Sequence, residues 1–224
     1  MRAGGSCGHY NITAGTLGGF VEDDDHYYIM SNNHVLADSN HANHGDEILQ
    51  PGPGDAVRGH KIIGYLESWL ALSRTRTDQF DAALAIFSDE VRDFYPWHYQ
   101  GIGTTKKSPV TSRYGVREVV KLGRTTGVTY GRVSAFDLSD VIINYGTRKK
   151  PFIVEFDNQI EITVIPPKKP FSQPCYSGSF IFDRKTLKPF ALLYGGGPDD
   201  KKIDRTVAHY MPDVLKALKV RMVQ

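Results

Sequence analysis

A chain of 224 residues suits one sizeable domain or two small units sharing an interface, and 40% hydrophobic with 23% charged residues can bury a core without disulfides or metals. A formal net charge of only +2 excludes a large basic field for nucleic acid, and the basic clusters at 106–107, 148–150, 168–169 and 201–202 are scattered, as solvated turns are. Two cysteines, Cys7 and Cys175, do not make a disulfide scaffold, although one long-range bridge between them stays open. No stretch reaches the roughly 18 consecutive apolar residues of a membrane helix, and no apolar signal region follows Met1, so a cytoplasmic location with no membrane contact is the expectation.

In chain order, the predicted strands cover 16–21, 27–31, 61–69, 82–87, 116–122, 131–138, 141–145, 152–155, 160–165, 179–183 and 190–194. Each is short, rich in Val, Ile, Phe and Tyr, and bounded by turn formers. Residues 22–26 read as a polar hairpin tip, and 52–55 and 195–198 as loops. A single helical turn is expected at 35–37. The stretch 93–113 is dense in punctuating residues and reads as a linker between two β units, dividing the chain into residues 1–100 and 101–224. Only 212–222 has a helical period, with Val214, Leu215, Leu218 and Met222 on one face and Pro212-Asp213 as its start. The chain thus reads as all-β closed by a C-terminal α-helix, which favours barrels or a sandwich over a parallel α/β sheet.

Four places carry candidate chemistry. His34 follows a strand and is flanked by Asn32, Asn33 and Val35. Asp81 opens the apolar run Ala82 to Ile86. Ser177 and Gly178 precede the strand containing Phe180 to Phe182. Arg124 sits in a turn bounded by Gly123 and Gly127. A serine hydroxyl needs an imidazole to accept its proton and a carboxylate to fix that imidazole. The order His, Asp, Ser permits this arrangement, but each residue alone also reads as a structural histidine, a turn cap or a turn serine. His41 and His44, near Asp38 and Asp46, read as a polar loop and not a metal site. The run Gly195 to Gly197 lacks the strand-turn-helix context and lysine of a nucleotide loop, so no cofactor is expected.

The boxes around these residues resemble those of trypsin-like (chymotrypsin-like) serine peptidases. Ser31-Asn32-Asn33-His34-Val35 resembles the histidine box, Asp81-Ala82-Ala83-Leu84-Ala85 the aspartate box, and Ser177-Gly178-Ser179 the nucleophile box. Residues 121–133, KLGRTTGVTYGRV, are similar to a segment of bacterial peptidases such as alpha-lytic protease and streptogrisins. Stretches at 5–9, 14–18, 48–53 and 156–160 resemble disulfide-poor bacterial trypsin-like peptidases. The resemblance spans residues 5–220. It implies two six-stranded antiparallel β-barrels with a cleft between them and a C-terminal helix. It also implies a serine endopeptidase with His34 as base, Asp81 as orienting carboxylate and Ser177 as nucleophile, acting on a polypeptide substrate.

The resemblance further implies an oxyanion hole from the backbone N–H groups of Cys175, Tyr176 and Ser177, and substrate binding at Phe171, Ser172, Tyr194, Gly195 and Gly196. The family has Gly-Asp before the nucleophile, where this chain has Cys175-Tyr176. A Cβ at 175 opposes the backbone turn that points the N–H inward. An alternative therefore stands beside the enzyme: a catalytically silent or partner-gated binding module, with a regulatory protein or a larger parent chain as its controller. Phe171 occupies the position six residues before the nucleophile where an acid selects arginine and lysine; it implies a preference for small or medium apolar side chains.

Overall fold

The structure is a computed structural model that describes residues 1–88, 91, 93–124, 127–165, 170–172, 177–198 and 204–224. Strands form where apolar, β-branched and aromatic residues run between turn formers. The first half carries β1 (Ser6–His9), β2 (Gly15–Thr16), β3 (Gly19–Glu22), β4 (Tyr27–Ser31), a one-turn helix α1 (Asn33–Leu36), β5 (Glu47–Gln50), β6 (Lys61–Trp69) and β7 (Ala83–Phe87). A two-rung hairpin, β8 (His98–Tyr99) and β9 (Gly103–Thr104), follows. The second half carries β10 (Glu118–Gly123), β11 (Gly127–Leu138), β12 (Val141–Asn144), β13 (Ile153–Phe156), β14 (Gln159–Val164), β15 (Phe180–Asp183), β16 (Pro189–Pro198) and β17 (Asp204–Tyr210). The helix α2 (Met211–Leu218) and β18 (Arg221–Met222) end the chain.

Strands β10-β11-β14-β17-β16-β15 close into a six-stranded antiparallel barrel, with β12 and β13 as a separate hairpin inserted between β11 and β14. The expectation of a second six-stranded barrel is overturned. The first half forms an open eight-stranded sheet in the order β18-β3-β4-β7-β6-β5-β1-β2. Closure would require β1 or β2 to reach the outer edge of β3. That edge is already taken, because Arg221 and Met222 pair with Glu22 and Val21. At the other end β2 offers only two residues, paired to Ser6 and Cys7. The molecule is one closed barrel beside an open half-barrel, not a double barrel.

Local readings shift for physical reasons. The expected strand at 16–21 is two strands, because the chain changes partner between them: Leu17 exchanges hydrogen bonds with Gly4 and Gly5, whereas Gly18 donates to Met30. The expected helix over 212–222 stops at Leu218, where Lys219 turns into the left-handed region at φ 58° and its N–H caps the carbonyls of Leu215 and Lys216. Met222 is buried as a strand residue, not on a helical face. The expected linker contains β8 and β9, and Tyr99 is buried edge-on against Phe182. Strands β1 and β5 escape the pattern because each is only four residues long with few β-formers, and β17 because its apolar residues are sparse among polar ones.

The halves share a core. Phe180, Phe182 and Leu192 of the barrel, with Met211, Val214 and Leu215 of α2, pack in one cluster with Phe20, Ile29 and Leu84 of the open sheet and Leu17 between β2 and β3. Each fully buried side chain of this size stabilises the fold by roughly 1.5–3 kcal/mol. A second cluster fills the barrel. A third, containing Leu72, Val154, Phe156 and Tyr194, lies under the β12–β13 hairpin. Among the described residues no helix is long and apolar enough to cross a membrane.

Candidate active site

His34 stands in the one turn of α1 that immediately follows β4. The two asparagines before it fix that turn. Asn32 Nδ2 donates to the Asp81 carbonyl at 2.7 Å, and Asn33 Nδ2 donates to the Leu70 carbonyl at 2.8 Å and to Asn40 Oδ1 at 2.7 Å. Val35 and Leu36 are buried beneath, which leaves the imidazole 23% exposed above them.

Asp81 immediately precedes the buried Ala82 and β7, and its side chain has no solvent exposure. Its Oδ2 lies 2.5 Å from His34 Nδ1, and its Oδ1 accepts the His34 backbone N–H at 3.1 Å. The carboxylate thus holds both the ring and the main chain of the histidine. Burial raises the Asp81 pKa, but the His34 charge and hydrogen bond and the Tyr145 hydroxyl outweigh it and hold the carboxyl below its ordinary value. The buried acid is therefore an anion that accepts hydrogen bonds.

Ser177 lies three residues before β15, in a turn whose geometry depends on Gly178. Gly178 has φ +94°, and a Cβ there would meet Ser31 Oγ at 2.1 Å and the Thr16 carbonyl at 2.3 Å. The turn is held from both halves: Thr16 N–H donates to the Ser177 carbonyl at 2.9 Å, and Gly178 N–H donates to Leu193 O at 2.8 Å. Ser177 is thereby fixed beside the end of β4, the strand that leads into His34. Its hydroxyl donates to the Tyr194 carbonyl at 3.2 Å; among the described residues no hydrogen bond joins it to His34.

Two further residues complete this polar cluster, and the sequence reading missed both. The Tyr145 hydroxyl donates to Asp81 Oδ2 at 2.7 Å, the same oxygen that faces His34. His209 Nε2 accepts the Asp81 backbone N–H at 2.9 Å. Burial pushes the His209 pKa down to about 3, so the ring is neutral, and its accepting Nε2 puts the proton on Nδ1. Its ring stacks on Tyr194 with centroids 3.9 Å apart and planes at 8°. Tyr145 ends a strand that was anticipated, but nothing in sequence order ties it to Asp81. His209 lies on β17, which was not anticipated, as one of eight histidines.

The remaining candidates are distributed as follows. Phe171 is fully buried in the barrel core, with its carbonyl accepting Thr129 Oγ1 at 3.0 Å. Ser172 is buried with Oγ 2.5 Å from Thr206 Oγ1. Tyr194 is buried, whereas Gly195 is half-buried and Gly196 exposed on β16. Gly196 has φ +154°, and a Cβ there would meet Ser172 Oγ and the Arg205 carbonyl at 2.7 Å. Beyond Leu192, which pairs with Phe180, no described strand covers β16 on the side away from β17. Cys175 and Tyr176 lie outside the described residues, and Cys7 is a buried free thiol. Arg124 is ion-paired with Asp55. Among the described residues no three His, Cys, Asp or Glu side chains are grouped to hold a metal.

No family model matches the sequence, and no curated protein does. Solved structures do match. A glutamic-acid-specific serine protease that uses a histidine triad in substrate binding superposes with a TM-score of 0.66 at 17% identity, over all of both chains. The fold is that of the bacterial chymotrypsin-like serine proteases. Cellulomonas bogoriensis chymotrypsin matches with a TM-score of 0.62 at 15% identity, over 99% of this chain and 97% of that one. Alpha-lytic protease homolog N4 gives 0.61 at 16%, over 100% and 99%. At such identities the likeness carries a protease-like architecture and leaves the chemistry to the residues themselves.

Proposed function

We propose that the chain is a serine endopeptidase in which Ser177 is the nucleophile, His34 the general base and Asp81 the carboxylate that orients it. The observation that carries this reading is the fully buried Asp81 anion 2.5 Å from Nδ1 of a partly exposed histidine, and it is supported by a serine on a glycine-dependent turn packed against Ser31, at the end of the strand that leads into that histidine. With Nδ1–H donated to Asp81, the His34 Nε2 lone pair is free to take the Ser177 proton as the hydroxyl attacks a carbonyl. His34 then returns that proton to the leaving amine, and water releases the acyl group by the reverse route. The Ser177 N–H, with those of Cys175 and Tyr176, is the proposed oxyanion hole, in which loss of one donor costs about 3–4 kcal/mol of transition-state stabilisation.

The substrate is a polypeptide. Its backbone adds as a strand along the open edge of β16 at Gly195 and Gly196, where the absence of side chains admits a close approach. Thr206 pairs with Gly196 on the opposite, closed side of β16, and the buried Ser172 packs against Gly196 there. The division into residues 1–100 and 101–224 is retained in this reading, with His34 and Asp81 supplied by the first and Ser177 by the second.

A second reading, a silent or partner-gated module, is favoured by one observation: the Ser177 hydroxyl is engaged with the Tyr194 carbonyl and not with His34. A p-nitrophenyl ester separates the two. The enzyme releases one equivalent of nitrophenol in a burst as the acyl-enzyme accumulates, and Ser177→Ala abolishes the burst. Folded wild-type protein without a burst supports the silent or gated module.

A further inference from the structure

The hairpin β12–β13 is inserted into the barrel but fastened to the other half of the molecule. Arg74 Nη2 donates to the Pro151 carbonyl at 2.8 Å, Gln79 Nε2 donates to the Glu155 carbonyl at 2.9 Å, and Asp157 N–H donates to the Thr77 carbonyl at 2.9 Å. Beneath it, Val141, Ile143 and Phe152 pack with Tyr145 against Leu72, Val154, Phe156 and Tyr194. These contacts would hold the hairpin whether residue 145 were tyrosine or phenylalanine. The hydroxyl is what remains unexplained by packing, and it ends 2.7 Å from Asp81 Oδ2.

We propose that Tyr145 is a positioning residue for the Asp81–His34 pair, its hydroxyl fixing the carboxylate oxygen that faces the imidazole and limiting how strongly that oxygen holds the imidazole proton. Two donors meet at Oδ2, Nδ1–H of His34 at 2.5 Å and the Tyr145 hydroxyl at 2.7 Å, while Oδ1 is taken by the His34 backbone N–H. A carboxylate oxygen sharing its charge between two donors is a weaker partner for each than one serving a single donor. The other titratable groups facing Asp81 are His34 itself, His209 through the Asp81 N–H, and Tyr194. Burial and the Asp81 charge push the Tyr145 pKa well above its ordinary value, so the hydroxyl keeps its proton and remains a donor throughout the working range. With the hydroxyl gone, Oδ2 serves His34 alone, the imidazolium is favoured, and the neutral base appears only at higher pH.

This inference rests on the assignment of Ser177, His34 and Asp81 as the reacting set, and its test has one arm that does not. In the first arm, the pH dependence of acylation by a p-nitrophenyl ester is compared for wild type and Tyr145→Phe. The acid limb moves up by about one pH unit in the variant, as expected for loss of one hydrogen bond to a charged group, and the melting temperature falls by several degrees while the variant stays folded at the assay temperature. In the second arm, the downfield proton resonance of His34 Nδ1–H, assigned by its loss in His34→Ala, is recorded in Ser177→Ala protein with and without Tyr145→Phe. It moves further downfield without the hydroxyl. An active wild type whose acid limb is unmoved by Tyr145→Phe overturns the inference and leaves the enzyme reading intact. An inactive wild type overturns the enzyme reading, and then the resonance alone decides: if it stays in place, Tyr145 is a packing residue only.

Discussion

The backbone N–H of Asp81 points at Nε2 of His209, 2.9 Å away and 128 residues on in the sequence. The bond crosses from the open sheet to the barrel and requires a neutral ring, because a protonated Nε2 cannot accept. The stack of His209 on Tyr194, with Phe80 and Phe156 at its edges, keeps that ring dry. The main chain at Asp81 is thus held by a histidine while its side chain holds another.

This relationship has a consequence for acid stability. Unfolded, His209 gains a proton near its ordinary value of 6.5; folded, only near 3. The native state is therefore fully favoured above about pH 6.5 and loses stability as the pH falls toward 3, at up to about 1.4 kcal/mol per pH unit. Asp81 adds the same trend lower down, its contribution present above the ordinary carboxyl value of 3.8 and lost as pH falls through its depressed folded value. Urea midpoints at pH 7 and pH 4 test this. His209→Gln, which keeps an acceptor that does not titrate, is expected to flatten the slope between pH 6.5 and 4. An unchanged slope would mean that His209 is not the group responsible.

Gly178 is the residue on which the Ser177 turn depends. Gly178→Ala sets a Cβ against Ser31 Oγ and the Thr16 carbonyl in a left-handed conformation. A loss of about 2–4 kcal/mol in chemical denaturation is expected, together with loss of ester acylation. A variant as stable and as reactive as wild type would show that the turn is not fixed as described.

The C-terminal strand occupies the edge of β3. Removing residues 221–224 strips Met222 and Val223 from the core, frees Trp97 Nε1 from the Val223 carbonyl, and breaks the Arg221 pairs with Glu22 and Asp24. The expected cost is about 2–5 kcal/mol, read as a fall in melting temperature. An unaltered melting temperature would show that β18 does not complete the sheet.

Asp81→Asn leaves the size of the side chain unchanged and removes its charge. An amide can donate to Nδ1, which moves the imidazole proton to Nε2 and takes away the base. Acylation by the ester is expected to fall by about 10⁴-fold near neutral pH. A fall of less than tenfold would detach Asp81 from the reaction.

How much of this was legible depended on the range of the interaction. Strands β4 and β6 were read with their observed bounds, because their patterns are local and dense in β-formers. The pairing of His34 with Asp81 was anticipated only through box resemblance, since nothing local links residues 47 apart. Tyr145 and His209 were invisible: their roles arise from the crossing of two halves and leave no periodic trace. The open form of the first sheet was equally hidden, because it turns on Arg221 and Met222 occupying an edge some 200 residues away in sequence. Phe171, read by position as the base of a pocket, has its ring buried in the barrel core.

The central claim is that Ser177 is an activated nucleophile. A fluorophosphonate probe incubated with folded protein, followed by peptide mass mapping, reports on it directly. Stoichiometric modification of Ser177 is expected, abolished in Ser177→Ala and suppressed in His34→Ala. Folded wild-type protein that stays unlabelled, or labelling that persists in Ser177→Ala, would contradict the assignment.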